Sequence, residues 1–205
     1  MHLRTGRSAV PGHLLRYRRA VRAVLLLVTA VLAAGCTTAV PGTPSAAGPA
    51  PLPPRPREVR LDGVDPCSLL TAEQRNTLGL GSRPSPSRPY VALFRGEVPT
   101  CTTYSSSPGA VILGVGAVTT VGVERWNEND LAVQLQPIEV ADFPAVVAVP
   151  IKSNAYCSVE VDAASGQLLD VQVLDGGDTP RVTQQDLCKR ATRAAQEIMK
   201  TLLAR

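Results

Sequence analysis

Leu32, Ala33, Ala34, Gly35 and Cys36 divide the chain into a part to be discarded and a part to be folded. An apolar run that ends in small residues and a cysteine reads as a lipoprotein processing site, with the cut falling just before Cys36 and the sulfur acylated. Upstream, Arg16, Arg18, Arg19 and Arg22 make a basic n-region, and residues 23–34 make an uncharged, mostly aliphatic h-region. As helix this apolar stretch spans only about 18 Å against the roughly 30 Å core of a bilayer, so removal is expected rather than permanent insertion. The competing reading is an ordinary secretory cut that leaves Cys36 as a plain cysteine. Cysteine arithmetic favours lipidation, because five cysteines leave one over in an exported chain, and Cys36 is the natural odd one. Two acyl chains on that sulfur satisfy the two-signal condition for stable anchoring, at about 0.8 kcal/mol per buried methylene. The expected address is the extracytoplasmic face of the cell membrane, held through lipid on Cys36.

Processing also changes the charge. Six of the 21 basic residues precede Cys36, and no acid does, so 15 Lys and Arg face 17 Asp and Glu in the remainder, a net charge of −2. A nucleic-acid partner is not expected, because a phosphate-tracking face needs clustered, unbalanced Lys and Arg. The chain is therefore parsed as signal peptide over residues 1–35, lipidated cysteine and Pro-rich tether over 36–60, and one globular domain over 61–205. With seven prolines and little to bury, the tether is expected to stay extended and to reach up to about 70 Å.

Within the domain, Asp65 can cap a helix that starts at Pro66, and Thr71 with Gln74 makes a capping box, so a short helical segment is expected over 66–78. Residues 90–95, 101–106, 110–123, 137–140, 145–149, 155–162 and 167–174 are rich in Val, Ile, Tyr and Thr and read as strands. Ser158, Glu160 and Asp162 alternate with Val159 and Val161, the pattern of a strand with one face wet. Ser165-Gly166 reads as a hairpin turn, and connections this short imply antiparallel pairing. From Thr183 to Leu203, apolar residues recur at helical spacing behind a Thr183 cap. The fold class expected is α+β, an antiparallel sheet packed by an N-terminal helical segment and a long C-terminal helix, with two disulfides.

Export makes disulfides of Cys67, Cys101, Cys157 and Cys188 by default. Three pairings are open, of which Cys67 with Cys188 and Cys101 with Cys157 is preferred, tying helix to helix and strand to strand. Zinc is not expected: His2 and His13 fall in the signal, and no Cys-x-x-Cys occurs. No other metal and no cofactor is expected either. Asp175 and Asp178 flank two glycines in what reads as a loop rather than a calcium site.

The absence of histidine after Cys36 also removes Ser-His and Cys-His catalysis. No Gly-x-Ser-x-Gly or Ser-x-x-Lys is present, and Gly114-x-Gly116 lies in a valine-rich stretch with no helix to follow, so these read as packing glycines. The one remaining catalytic route is a carboxylate pair among Glu124, Glu128 and Asp130 beside Trp126, as a glycosidase would use. No catalytic residue is expected. Arg125, Trp126, Asn127 and Glu128 are the candidate contact surface, an indole flanked by hydrogen-bonding groups, against the alternative that Trp126 plugs the sheet edge.

Asp65-Pro66-Cys67-Ser68-Leu69-Leu70-Thr71, the cysteine-led strand at Cys101, Asp142-Phe143-Pro144-Ala145, Tyr156-Cys157-Ser158-Val159-Glu160-Val161 and an Ala-rich last helix follow Cys36 and the Pro-rich segment in order. That arrangement resembles the DUF3558 lipoproteins of actinobacteria. The resemblance implies a cell-envelope lipoprotein and assigns no activity. The function expected is a non-catalytic binding or interaction module that meets an envelope protein or a wall polymer. The alternative is a carrier of an apolar, lipid-like ligand held between helix and sheet.

Overall fold

Alternation along the strands sorts the apolar side chains into two separate cores, one on each face of a single sheet. The computed structural model describes residues 52–105, 109–128 and 131–205, and the elements below lie among them. The strands are β1 (Ser85–Ser87), β2 (Tyr90–Val91), β3 (Gly96–Glu97), β4 (Thr100–Tyr104), β5 (Val111–Val118), β6 (Val133–Val140), β7 (Phe143–Pro150), β8 (Tyr156–Ala164) and β9 (Gln167–Asp175). Seven of them form one sheet in the order β1-β4-β5-β9-β8-β7-β6, every pair antiparallel, and β2 with β3 makes a separate hairpin. The helices are α1 (Ala72–Thr77) and α2 (Gln184–Leu203), with 3₁₀ turns at Pro66–Ser68, Ala92–Phe94 and Val123–Asn127.

The inner core lies under α2. Leu187, Ala191, Ala194, Ile198 and Met199 pack on Val159, Val161, Leu169 and Val171, all buried. The α2 N-terminus is capped by Thr183, whose hydroxyl accepts the Asp186 N–H at 3.2 Å. At α1 both capping-box bonds form, and Gln74 Nε2 also donates to the Glu197 carbonyl at 2.9 Å, tying the two helices together. The outer core takes the opposite parity: Val118, Val146, Ala148 and Leu168 pack with Phe94, Val98 and Trp126. Its cover is the β2–β3 hairpin and the 3₁₀ turn at Val123–Asn127.

This second layer corrects the expectation of a wet face on residues 158–162. Ser158, Glu160 and Asp162 are all buried, because the hairpin and turn cover the side of the sheet that antiparallel proteins often leave in water. The strand expected over 137–140 also begins earlier, at Val133. It runs through Pro137 because β6 is a sheet edge, where a missing N–H breaks no ladder bond. Ala141 and Asp142, both at positive φ, join β6 to β7 in the two-residue geometry that suits strand twist.

The two disulfides join different partners from the pairing preferred above. Cys67 bonds Cys101 and Cys157 bonds Cys188, with Cα separations of 5.0 and 5.1 Å. Strand order explains the correction. Cys101 lies on β4 and Cys157 on β8, with β5 and β9 between them, so three strand spacings of about 4.8 Å hold them roughly 14 Å apart. Two cysteines more than about 7 Å apart cannot bridge. Each therefore bonds the helical piece that crosses its own strand.

The expected end of the tether at Arg60 also moves upstream. Arg55 Nη1 bonds both Asp162 oxygens at 2.6 and 2.7 Å, Val59 N–H donates to the Ala163 carbonyl at 2.8 Å, and Leu61 is fully buried. Composition alone hides this attachment, since one arginine and one backbone bond secure a segment with little apolar surface. Cys36 and the expected signal lie outside the described residues.

Non-reducing peptide maps should recover Cys67 with Cys101 and Cys157 with Cys188. Replacing both Cys157 and Cys188 by serine should lower the unfolding free energy in urea by about 3–4 kcal/mol, the loop-closure value for loops of this length.

Candidate functional site

The strand register places polar side chains in a patch on the covered outer face. Glu160 on β8 faces Asp170 on β9, which faces Gly116 on β5; one pleat away Ser158 faces Gln172, which faces Gly114. Two side-chain-bearing rows thus lie beside two glycines, so the floor drops toward β5. Phe94 and Val98 from the hairpin and Trp126 from the 3₁₀ turn stand over it, and together they bound a cleft of about 390 Å³. Gly116 is needed for this depth: a Cβ there would lie 3.2 Å from Val98 Cγ1 and 3.4 Å from Asp170 Oδ2.

Glu160 is 0% exposed, Ser158 1% and Trp126 5%. Six buried side-chain nitrogen or oxygen atoms among the described residues have no hydrogen-bond partner within the chain, and four belong here: both Glu160 carboxylate oxygens, Ser158 Oγ and Trp126 Nε1. Buried polar atoms are nearly always satisfied, and these four stand together, with Ser158 and Trp126 both near Glu160, so the cluster makes this cleft the candidate site. Two other depressions, of about 430 and 550 Å³, have none of these atoms on their walls.

Burial pushes the Glu160 carboxyl well above the ordinary glutamate range, and the neighbouring Asp170 charge adds to the shift. Ser158 and the Trp126 N–H favour the charged form, though neither closes a hydrogen bond of ordinary geometry with it. Burial likewise raises Asp170, to about 7, against a smaller opposing contribution from Glu160. Two carboxyl groups on adjacent strands with no cation between them hold on to at least one proton near neutrality.

The expected contact surface is rearranged. Trp126 is buried and forms a wall of the cleft, so its ring is not offered at the outer surface. Arg125 is buried as well; its Nε donates to the Leu93 carbonyl at 3.0 Å and its Nη1 to Glu128 at 3.0 Å, which pins the turn to the hairpin. Asn127 and Glu128 are exposed, and Glu128 also receives Arg95 at 2.6 Å. A carboxylate held by two arginines is poorly placed as a glycosidase acid, and Asp130 lies outside the described residues. Sequence reasoning missed Glu160, Asp170, Ser158 and Gln172. The signal available was a polar residue at every second position of two neighbouring strands whose other positions are uniformly apolar.

No described helix is long and apolar enough to cross a membrane, and no cluster of three potential metal ligands occurs among the described residues. A family model described as a protein of unknown function (DUF3558) matches residues 31–201. No curated protein and no solved structure matches the chain.

The raised carboxyls fix how stability should vary with pH. In the unfolded chain they titrate near about 4, and in the fold they keep their protons to higher pH. Between about 4 and 7 the folded state therefore binds more protons, and its stability falls as pH rises. Asp162, raised by burial against the pull of Arg55, contributes with the same sign. Asp62, Asp175, Asp186 and Glu197, lowered first by hydrogen bonds to Gln167, Arg181, Thr183 and Lys200, add their stability above about 4 and lose it only in stronger acid. The melting temperature should thus be higher at pH 5 than at pH 8, and Asp170→Asn should flatten that slope in a calorimetric series.

Proposed function

The chain belongs to the DUF3558 family, and on that premise we propose that it is a lipid-anchored protein of the extracytoplasmic membrane face that binds a small ligand without transforming it. The site is the outer-face cleft over Glu160 and Asp170. The observation that carries this reading is the convergence of four unpartnered, buried polar atoms on one cavity of about 390 Å³. Sites for small molecules are concave, mostly apolar, and carry a few fixed polar groups; Phe94, Val98 and Trp126 supply the first property and the floor supplies the second.

The anchor is supported by the run that ends at Cys36 and by the family match, which starts at residue 31 and so takes in the cysteine with the end of the h-region. The family resemblance also supports an actinobacterial cell envelope as the setting. A non-catalytic role is favoured by the lack of any histidine after Cys36, which removes Ser-His and Cys-His pairs. A wholly apolar cargo is disfavoured, because it would leave the floor oxygens without partners. The helix-facing side is filled where Leu187, Ala191, Ile198 and Met199 are fully buried against the sheet, and the depression of about 430 Å³ beside α2 has Arg190 and Arg193 on its wall, which suits an apolar cargo less.

Two measurements test the proposal. Cys36→Ser should abolish incorporation of labelled palmitate and move the chain from the membrane to the soluble fraction; retained labelling ends the anchor reading. Native mass spectrometry of the acylated chain extracted in mild detergent should show a small bound species, and Gly116→Ala, which narrows the floor, should lose it. An empty wild-type protein that also ignores every probe offered below removes the cleft as a binding site.

A further inference from the structure

We propose that the ligand of this cleft is an organic cation, a protonated amine or amidine on a compact apolar body, whose charged head sits on Glu160 and Asp170 beneath Trp126. The inference rests on the binding role proposed above and names the class of molecule that fills it.

The two carboxyls set the charge of the floor, beside Ser158 and Gln172, which can both donate and accept. Both Glu160 oxygens accept and lack a hydrogen bond of ordinary geometry, Ser158 and the Trp126 N–H being near without closing one, and Asp170 adds a second carboxyl beside them. The only orphaned N–H at the site belongs to Trp126, on the wall rather than the floor. A guest that supplies several donors from one atom satisfies this arrangement, as an ammonium with up to three N–H groups does. An anion would meet two carboxyls, and a hydrocarbon would leave them unpaired.

Charge leads to the same class. No Lys, Arg or His stands among the described residues that line the cleft. The charged groups nearby are otherwise engaged: Asp162 with Arg55 from the N-terminal segment, and Glu128 with Arg95 and Arg125 at the turn. Glu124, on that turn, accepts the Gly122 N–H. From β7 the residue opposite Glu160 is Val146, and from β5 the residue opposite Asp170 is Gly116. The pair therefore has no resident counter-ion, and the guest would bring it. The Trp126 and Phe94 rings overhead suit a cation and its apolar body, through ring quadrupole and contact area. A cavity of about 390 Å³ lies in the small-molecule range, which limits the guest to a compact body rather than a lipid chain.

Binding a cation here should expel the proton that the carboxyl pair shares. Affinity should then rise with pH through about 7, where Asp170 ionises.

Trp126 is the only tryptophan of the chain, so its emission reports on the cleft alone. The experiment titrates the intact acylated chain with benzylamine, benzyl alcohol, benzoate and glucose at pH 5.5 and 7.5, following that emission. Benzylamine, protonated at both pH values, should give a saturable change at pH 7.5, about 25-fold weaker at pH 5.5 for one proton expelled from a group titrating at about 7, while benzyl alcohol, benzoate and glucose give none. Glu160→Gln should lose at least about tenfold in benzylamine affinity, and Asp170→Asn, kept as a second variant in case the first does not fold, should remove the pH dependence. Benzyl alcohol, benzoate or glucose binding as tightly as benzylamine overturns the cation class and leaves the cleft standing as a site. No response to any probe, with an empty protein in native mass spectrometry, overturns both.

Discussion

A carboxylate inside a protein must find a cation, find donors, or keep its proton, because the interior solvates charge poorly. Glu160 is fully buried in the middle of β8 with no cation beside it and only Ser158, the Trp126 N–H and the Asp170 carboxyl near it, none closing a hydrogen bond of ordinary geometry, and the outer half of the molecule is arranged around that fact. Without the hairpin and the 3₁₀ turn at Val123–Asn127, residues 158–162 would be an ordinary wet strand face and the acid would cost nothing. With them, the sheet is covered on both sides and the carboxyl pair becomes the floor of a cleft. The cover is thus what turns a surface into a cleft.

What holds the cover and the sheet in place is distributed between covalent and polar ties. Cys67–Cys101 fixes the entry turn to β4, and Cys157–Cys188 fixes the start of α2 to β8, so both sides of the β5–β9 floor are braced on the helix side. On the outer side the ties are polar: Arg125 reaches from the 3₁₀ turn to the Leu93 carbonyl, and Thr120 donates to the Phe94 carbonyl. With few aromatic residues in the chain, both cores are built mainly from valine, alanine and leucine, and cross-links compensate for the small side chains. The two rings of the outer core, Phe94 and Trp126, concentrate large apolar area where the cleft needs walls.

The sheet, the long helix and the presence of two bridges were legible in the sequence because each rests on local signals: period-two strands, period-3.6 apolar residues behind Thr183, and even cysteines after Cys36. Pairing was not, since it depends on strand order, and strand order places β9 between β5 and β8 although β9 follows both in the chain. The acid pair was hidden by a register shift. A plain two-residue turn at Ser165-Gly166 pairs Ala164 with Gln167 and would set Glu160 opposite Val171, putting Glu160 and Asp170 on opposite faces. The irregularity between Asp162 and Ala164 moves the ladder by one residue and brings the two carboxyls to one side. A bulge of this kind leaves no mark in composition or periodicity, and neither does the cover that makes Trp126 a wall rather than an exposed contact.

Asp162 shows that the missing counter-ion at Glu160 is a local feature and not a general shortage. The two acids stand two residues apart on one strand and one face. Asp162 receives Arg55 in a two-oxygen pair, delivered by a segment of sequence more than a hundred residues earlier, and the same segment secures its backbone to Ala163. The chain therefore reaches across its own length to neutralise one buried acid and leaves the next one without a cation, beside Ser158, Trp126 and Asp170. A fold that needed only stability would gain from an apolar residue at 160, since a buried unpaired carboxyl is a standing cost that a valine would remove. Keeping the acid makes physical sense where the partner arrives from outside, and that is the reason to read the cleft as a site rather than as a flaw in packing.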